Sequence, residues 1–207
     1  METTHRRFHD YRALVSDDVH PTVREQRPDD ASAVLSVIGR AFSDDPDVAP
    51  LDADLARLAG TSAYVAVDRE RVVGHVRLTW CWIDAEERLV DVLVLSPLSV
   101  DPDHQRRGIG AALVARAVRR AEELGVPAVF LEGDPGYYGR LGFGPASDVG
   151  IAPASARVPT AAFQAVAFPT FEDWMSGRIV YPDVFWRHDA VGLRGATLAE
   201  VRAALGW

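Results

Sequence analysis

Apolar and polar positions alternate with two different periods along this chain, and the switches between them predict its elements. The stretch "TVREQRPDDASAVLSVIGRAF" (22–42) opens with a short β-rich run and continues as a helix started by Pro28-Asp29-Asp30, with Val34, Leu35, Ile38 and Phe42 on its inner face. "DDPDVAPLDADLARLAG" (44–60) reads as a loop and a second helix ended by Gly60. "SAYVAVDRERVVGHVRLTWCWI" (62–83) is two β-rich runs around Asp68-Arg69-Glu70, the signature of a hairpin. "ERLVDVLVLSPLSV" (87–100) is apolar on both faces up to Pro97, as a strand in a sheet centre should be. "GAALVARAVRRAEELG" (110–125) puts Leu113, Ala117, Ala121 and Leu124 on one helical stripe and stops at Gly125; "VPAVFLEG" (126–133) is a strand again. Strand, long helix, strand implies a right-handed βαβ unit with parallel strands.

A length of 207 residues suits one domain with short extensions. The formal charge of −8 argues against nonspecific nucleic-acid and anionic-membrane partners, so a local basic cluster has to be read as a site. The chain contains no lysine, and every permanently charged side-chain cation is an arginine. Its single cysteine, Cys81, excludes an internal disulfide and fits a reducing compartment; between Trp80 and Trp82 it reads as a core thiol. Residues 1–21 carry many charges and no apolar signal core, and are read as an N-terminal extension. With no stretch of membrane-spanning length either, a cytoplasmic protein is expected.

The basic cluster is "VDPDHQRRGIGAAL" (100–113). Gly108 and Gly110 allow close approach of the backbone to a ligand, and the helix that follows offers unsatisfied N–H groups and the positive end of its dipole. Gln105, Arg106 and Arg107 add side-chain donors, so the concavity suits a phosphate or pyrophosphate. Two nucleotide-binding patterns fail here. A dinucleotide fingerprint needs a small residue where Leu113 stands, and its turn follows the strand at once, whereas Gly108 lies eight residues past Val100. A Walker loop needs the lysine this chain lacks. Asp101, Asp103 and His104 sit in one turn, where they cannot all converge on a metal ion, and they are read as solvated turn residues.

"LSVDPDHQRRGIGAALV" resembles the central motif of the GCN5-related N-acetyltransferases (GNAT), a strand ending in valine, a turn, Gln/Arg-x-x-Gly-x-Gly/Ala and a helix. "GYYGRLGF" (136–143) is similar to that family's Tyr-x-Lys/Arg-x-Gly-Phe segment, in the same order and separation. Together with "VVGHVRL", "LSPLSVDP" and "EGDPGYYGRLGFGPAS", these place the resemblance among the YhbS-like predicted acetyltransferases, over about residues 22–166. The resemblance implies an α/β (α+β) fold with a central mixed, mostly antiparallel sheet, one parallel βαβ unit and helices on both faces. It implies a GNAT domain over 22–170 and, at 171–207, a C-terminal strand and helix extension packing on the same domain.

Acetyl-CoA is the implied cosubstrate, with no metal, and a small-molecule or protein amine the implied acceptor. Backbone groups of Leu98, Ser99 and Val100 would pair with the pantetheine arm, and those of Gln105, Arg106, Arg107, Gly108, Ile109, Gly110 and Ala111 would hold the pyrophosphate. Tyr138 falls where many members have the tyrosine that protonates the departing thiolate; a phenol can do so. Tyr137 and Phe143 are read as packing residues and Arg140 as structural. Where some members carry a glutamate base, this chain has Val94, and Gly133-Asp134 replaces a common asparagine. His75 and Glu132 are the remaining side-chain base candidates, beside a water chain or an amine already neutral on arrival. The acidic run Asp44, Asp45, Asp47, Asp52 and Asp54 reads as a solvated loop that attracts a cationic acceptor weakly. Trp174, Phe185 and Trp186 are expected in closing strands. Two function classes stand: an N-acetyltransferase acting by direct attack of the amine, and a catalytically weak acetyl-CoA-binding sensor or interaction module. A homodimer is left open.

Overall fold

A computed structural model describes residues 21–195, 198, 199 and 203; of the expected extension over residues 1–21, all but Pro21 lies outside the described residues. Along the chain run β1 (Thr22–Glu25), α1 (Ala31–Ala41), α2 (Val48–Leu55), β2 (Ser62–Asp68), β3 (Arg71–Ala85), β4 (Leu89–Val100) and α3 (Ile109–Glu123). There follow β5 (Ala128–Glu132), the single turn α4 (Pro135–Tyr138), β6 (Gly144–Pro145), β7 (Ile151–Ala152), β8 (Phe163–Ala167), β9 (Gly177–Val180) and α5 (Asp183–Arg187).

The β2–β3 hairpin turns through Arg69 and Glu70, at φ 44° and 68°. Two left-handed residues give a loop whose twist matches that of its strands, here without the usual glycine or asparagine. The strands order as β1-β2-β3-β4-β5-β8-β6, antiparallel except for β4–β5, the parallel pair that α3 connects. The long β3 takes β2 along its first half and β9 along Trp82–Ala85, and β7 makes a two-residue parallel contact with β9. The described sheet is thus mixed and mostly antiparallel.

Each face has its own core. On one side Ile109, Leu113, Ala117 and Ala121 of α3 pack over Val76, Leu78, Leu93 and Val129. On the other, Leu51 and Leu55 of α2 cover Cys81, Ile83, Val92 and Phe130, while Val34 and Ile38 of α1 sit on Val65. Burying each of the valine, leucine, isoleucine and phenylalanine side chains among these stabilises the fold by about 1.5–3 kcal/mol.

Several expectations change. In α1 the buried stripe is Val34, Val37 and Ile38; Leu35 is 37% exposed because the stripe centres between Val34 and Val37, turning Leu35 to solvent. Leu124 lies past the last turn of α3 and is also exposed. Helix α2 stops at Leu55, well before Gly60. Gly60, at φ 76°, lies instead under Trp80, whose Nε1 donates to its carbonyl at 3.0 Å; a Cβ there would strike the indole. The closing strand β9 falls between the aromatics assigned to it: Trp174 lies in a 3-10 turn, and Phe185 and Trp186 lie on α5.

Asp52 does not belong to a solvated loop. It is 2% exposed and accepts two hydrogen bonds from the buried Arg77 of β3, from Nε at 2.6 Å and from Nη2 at 3.0 Å. A forked guanidinium matches a carboxylate in this way, and the pair fastens α2 to the sheet. Removing one partner leaves the other charge buried and unpaired, so Arg77→Met should cost about 3–5 kcal/mol in chemical denaturation. The double variant Asp52→Leu/Arg77→Met should recover most of that loss. A double variant as unstable as the sum of its two singles would show that the charge pairing is not what α2 depends on.

Candidate functional site: the cleft between β4 and β5

The parallel pairing of β4 with β5 is short, Leu93 with Val129 and Val94 with Phe130. Just beyond it β4 carries an extra residue: Leu78 of β3 faces Leu95, but Val76 faces Leu98. A bulge of this kind bends and twists the strand that contains it, and Pro97 within it has no N–H to give a neighbour. Past the bulge, β4 stays with β3 through Leu98, Ser99 and Val100, while β5 runs to Glu132 paired with β8. The two strands therefore part, and past Val94 the edge of β4 that faces the gap has no strand partner among the described residues, which leaves it able to bind an extended amide-bearing chain.

The basic loop closes the far end of this edge. Asp101 starts it: its amide donates to Val73 O at 2.9 Å, and its side chain accepts from the Asp103 amide at 3.0 Å. Arg40 at the end of α1 bridges Asp101 and Asp103 at 2.7 and 2.8 Å, and this contact has no local signal in the sequence. Among the described residues, no three His, Cys, Asp or Glu side chains gather as metal ligands. Gln105 turns its side chain back, donating from Nε2 to Val100 O at 3.2 Å. Arg106 and Gly108 both take left-handed conformations, φ 60° and 77°, which fold the loop so that α3 starts at Ile109. The first helical amide with a partner in the turn before it is that of Ala112, donating to Gly108 O, and those of Ile109, Gly110 and Ala111 have no partner among the described residues, as at any helix start. Ile109 itself points into the core, while Arg106 and Arg107 are exposed.

Two tyrosines stand opposite. Asp134 caps the one-turn α4, accepting from the Gly136 amide at 2.8 Å, and α4 presents Tyr137 and Tyr138 with rings perpendicular, centroids 4.9 Å apart. The Tyr138 ring lies against Gly133, where any Cβ would collide with it, and edge-on to the buried Phe143. Burial first, and Tyr137 second, raise the Tyr138 pKa well above the usual phenol range. The hydroxyl of Tyr137 reaches Gly110 in the first turn of α3. Arg140 is exposed.

The base candidates differ in their surroundings. His75 is the cross-strand partner of Ser99 and is fully buried. Neither ring nitrogen has a hydrogen-bond partner among the described residues; Nε2 is 3.9 Å from Asp52 Oδ1. Burial lowers its pKa to about 4 against the pull of Asp52, so the ring is neutral at physiological pH and has no direct contact with solvent. Ser99 Oγ, on the residue paired with His75, and Thr79 Oγ1, four residues further along β3, are also buried without partners among the described residues, which costs free energy unless water reaches them. Glu132 ends β5 on the face of Phe130. Its Oε2 accepts from the Gly192 amide at 3.3 Å. Burial raises its pKa, opposed by Tyr181, by that amide and by Arg157. Glu132 Oε1 and the Tyr181 hydroxyl are neighbours, yet neither closes a hydrogen bond of ordinary geometry among the described residues. Tyr181, Arg157 and Gly192 all come from distant sequence, and no local pattern announces them. Val94 is buried in the core, and Cys81 is fully buried with its thiol pKa pushed up by burial.

Known proteins are similar to this chain in sequence and fold. Residues 22–146 match the acetyltransferase (GNAT) domain family. Over 135 residues the chain is 33% identical to the uncharacterised N-acetyltransferase YjhQ of Escherichia coli K12, covering 63% of this chain and 73% of that one. The solved structure of Escherichia coli YhbS, a GNAT family N-acetyltransferase in complex with CoA, matches with a TM-score of 0.71 at 25% identity, over 84% of this chain and 96% of that one. A GNAT family acetyltransferase of Brucella melitensis, in complex with acetyl-CoA, matches with a TM-score of 0.65 at 26% identity, over 80% and 98% of the two chains. With the parted strands, the glycine loop and most of the sheet falling inside the matched residues, the chain belongs to the GCN5-related N-acetyltransferase family.

Proposed function

We propose that this protein moves an acetyl group from acetyl-CoA to a primary amine by direct attack of the amine nitrogen on the thioester. The observation that carries this reading is the gap between β4 and β5 ending at the glycine loop, so that a strand-like binding edge leads straight to an anion-binding one. The relatives solved with CoA and acetyl-CoA support it. Backbone groups of Leu98, Ser99 and Val100 would take the pantetheine arm, and the N–H groups of the 105–111 loop and helix start the pyrophosphate. Acetyl-CoA, when bound, supplies the activated acyl carbon.

The chain's own part is proton management. Tyr138 keeps its proton at any working pH, because its pKa is raised, and would hand that proton from Oη to the leaving sulfur. Glu132 projects from the other face of β5, the face covered by α2 and the C-terminal segment, and would take the proton from the amine. His75, fully buried, could reach that proton only through internal water. The acceptor's wall includes α2 and α5, joined by His188 Nε2 and Asp54 Oδ2 at 2.9 Å. The second reading, an acetyl-CoA sensor with little turnover, is favoured by one observation, the apolar Val94 at a position where a base can stand.

Thiol release from acetyl-CoA, followed across a panel of small and peptide primary amines, separates the readings: amine-dependent release is expected, and tight CoA binding with none would favour the sensor. Tyr138→Phe should leave acetyl-CoA binding nearly unchanged, because the thioester sulfur is uncharged before reaction, and lower kcat on the order of 10²-fold. An unchanged kcat under rate-limiting chemistry would remove the role. Glu132 works only when deprotonated, and its raised pKa moves the acidic limb of the rate profile above the usual carboxylate range of about 4.3. Activity is full above that limb and is lost as pH falls through it. Glu132→Gln should abolish both the limb and most of the rate; a variant with the parent profile would exclude Glu132.

A further inference from the structure

Tyr137 and Tyr138 are adjacent, share the single turn of α4 and stand at right angles, so their hydroxyls cannot serve the same place. Tyr138 lies along Gly133 at the end of β5; Tyr137 extends the other way, across the gap, to the first turn of α3. Its hydroxyl occupies the space that a side chain at position 110 would fill. A Cβ built on Gly110 would overlap the Tyr137 oxygen, while the ring's Cζ and the Cγ2 of Val100 stand off at 3.6 and 3.7 Å. The hydroxyl thus lies beside Gly110 in the first turn of α3, with a methyl group of Val100, the last residue of β4, near the same point. It makes no hydrogen bond to any described residue, although its ring packs against the core under α3. Tyr137 is only half-buried and its hydroxyl is not among the sealed, unpartnered polar atoms of the described residues, so it stays open to solvent and is available to a ligand at the helix start.

We propose that the Tyr137 hydroxyl is a ligand-binding donor, completing with the Ile109, Gly110 and Ala111 amides the seat for the pyrophosphate of CoA. The inference rests on the reading of the gap and loop as the acetyl-CoA site, and it assigns a binding role to a residue whose sequence context marks only packing. Burial raises the Tyr137 pKa, so the hydroxyl stays protonated and can donate to a phosphate oxygen. A neutral donor adds a directed hydrogen bond that salt screens little, beside the exposed and screened charges of Arg106 and Arg107. The bare Gly110 has a reason of its own in this arrangement: it is small so that the tyrosine can close over the helix start.

Tyr137→Phe keeps the ring and removes the donor. Calorimetry with CoA should show affinity reduced about tenfold, the scale of a hydrogen bond to a charged acceptor. Acetyl-pantetheine, which has no pyrophosphate, should bind the two proteins alike. The placement of the hydroxyl has a test of its own that needs no ligand. Gly110→Ala should lower Tm in the parent chain, where the new Cβ must displace the tyrosine oxygen, and lower it far less in the Tyr137→Phe background, where ordinary contacts remain. If the parent binds CoA and Tyr137→Phe binds it equally well, the donor role is wrong while the acetyl-CoA site stands. A loss of the same size with acetyl-pantetheine would move the contact to the pantetheine arm and overturn the pyrophosphate assignment. A parent chain that does not bind CoA would sink both readings together.

Discussion

The extra residue in β4 between Leu95 and Leu98 governs the rest of the site. A regular strand there would have gone on pairing with β5 past Phe130, and the backbone groups that now face the gap would have been used up in the ladder. The bulge ends that pairing, turns the strand and delivers Val100 to the place where the chain must bend into the loop. Both outer supports of the gap are tied to the same sheet. Arg40 of α1 clamps the loop through Asp101 and Asp103, and Arg77 of β3 clamps α2 through Asp52. An opening in a sheet exposes polar backbone and loses packing, so it survives only where neighbours hold it in shape.

The parts that were legible in the sequence are those whose cause is local. The βαβ unit follows from an apolar run, a helical stripe and a second apolar run, and the loop from glycines at 108 and 110 between them. The hairpin at 68–70 was placed correctly although its left-handed residues are Arg69 and Glu70. Leu35 and Val37 were harder, because two valid stripes overlap on α1 and only the position of β2 chooses between them.

What could not be read was decided at long range. Asp52 stands among five acidic residues of one short stretch, and nothing near it says that it alone turns inward to meet Arg77, 25 positions away. β9 pairs with the far half of β3, a contact set by the length of β3 and not by any property of "GRIV". Glu132 meets Tyr181, Arg157 and Gly192 only after the C-terminal segment has folded back over β5. Within the site, the loop was readable from residue types, whereas the surroundings of His75 and Glu132 were not. Burial determines the protonation of both, and burial belongs to the assembled molecule.

The cations in these clamps are guanidinium groups, Arg40 on the loop and Arg77 under α2, in a chain of 207 residues without a single lysine. Guanidinium suits the forked contacts, and it remains protonated at every pH where the protein folds. It is also a very poor nucleophile, unlike the ε-amine that a lysine would offer to an activated acyl group. A protein of an acetyl-transferring family is therefore built, at each of these charged positions, from side chains that it cannot use as its own acceptors. Acetyl-lysine cannot arise within these 207 residues, so acetyl-lysine detected beside them in a reaction mixture comes from elsewhere.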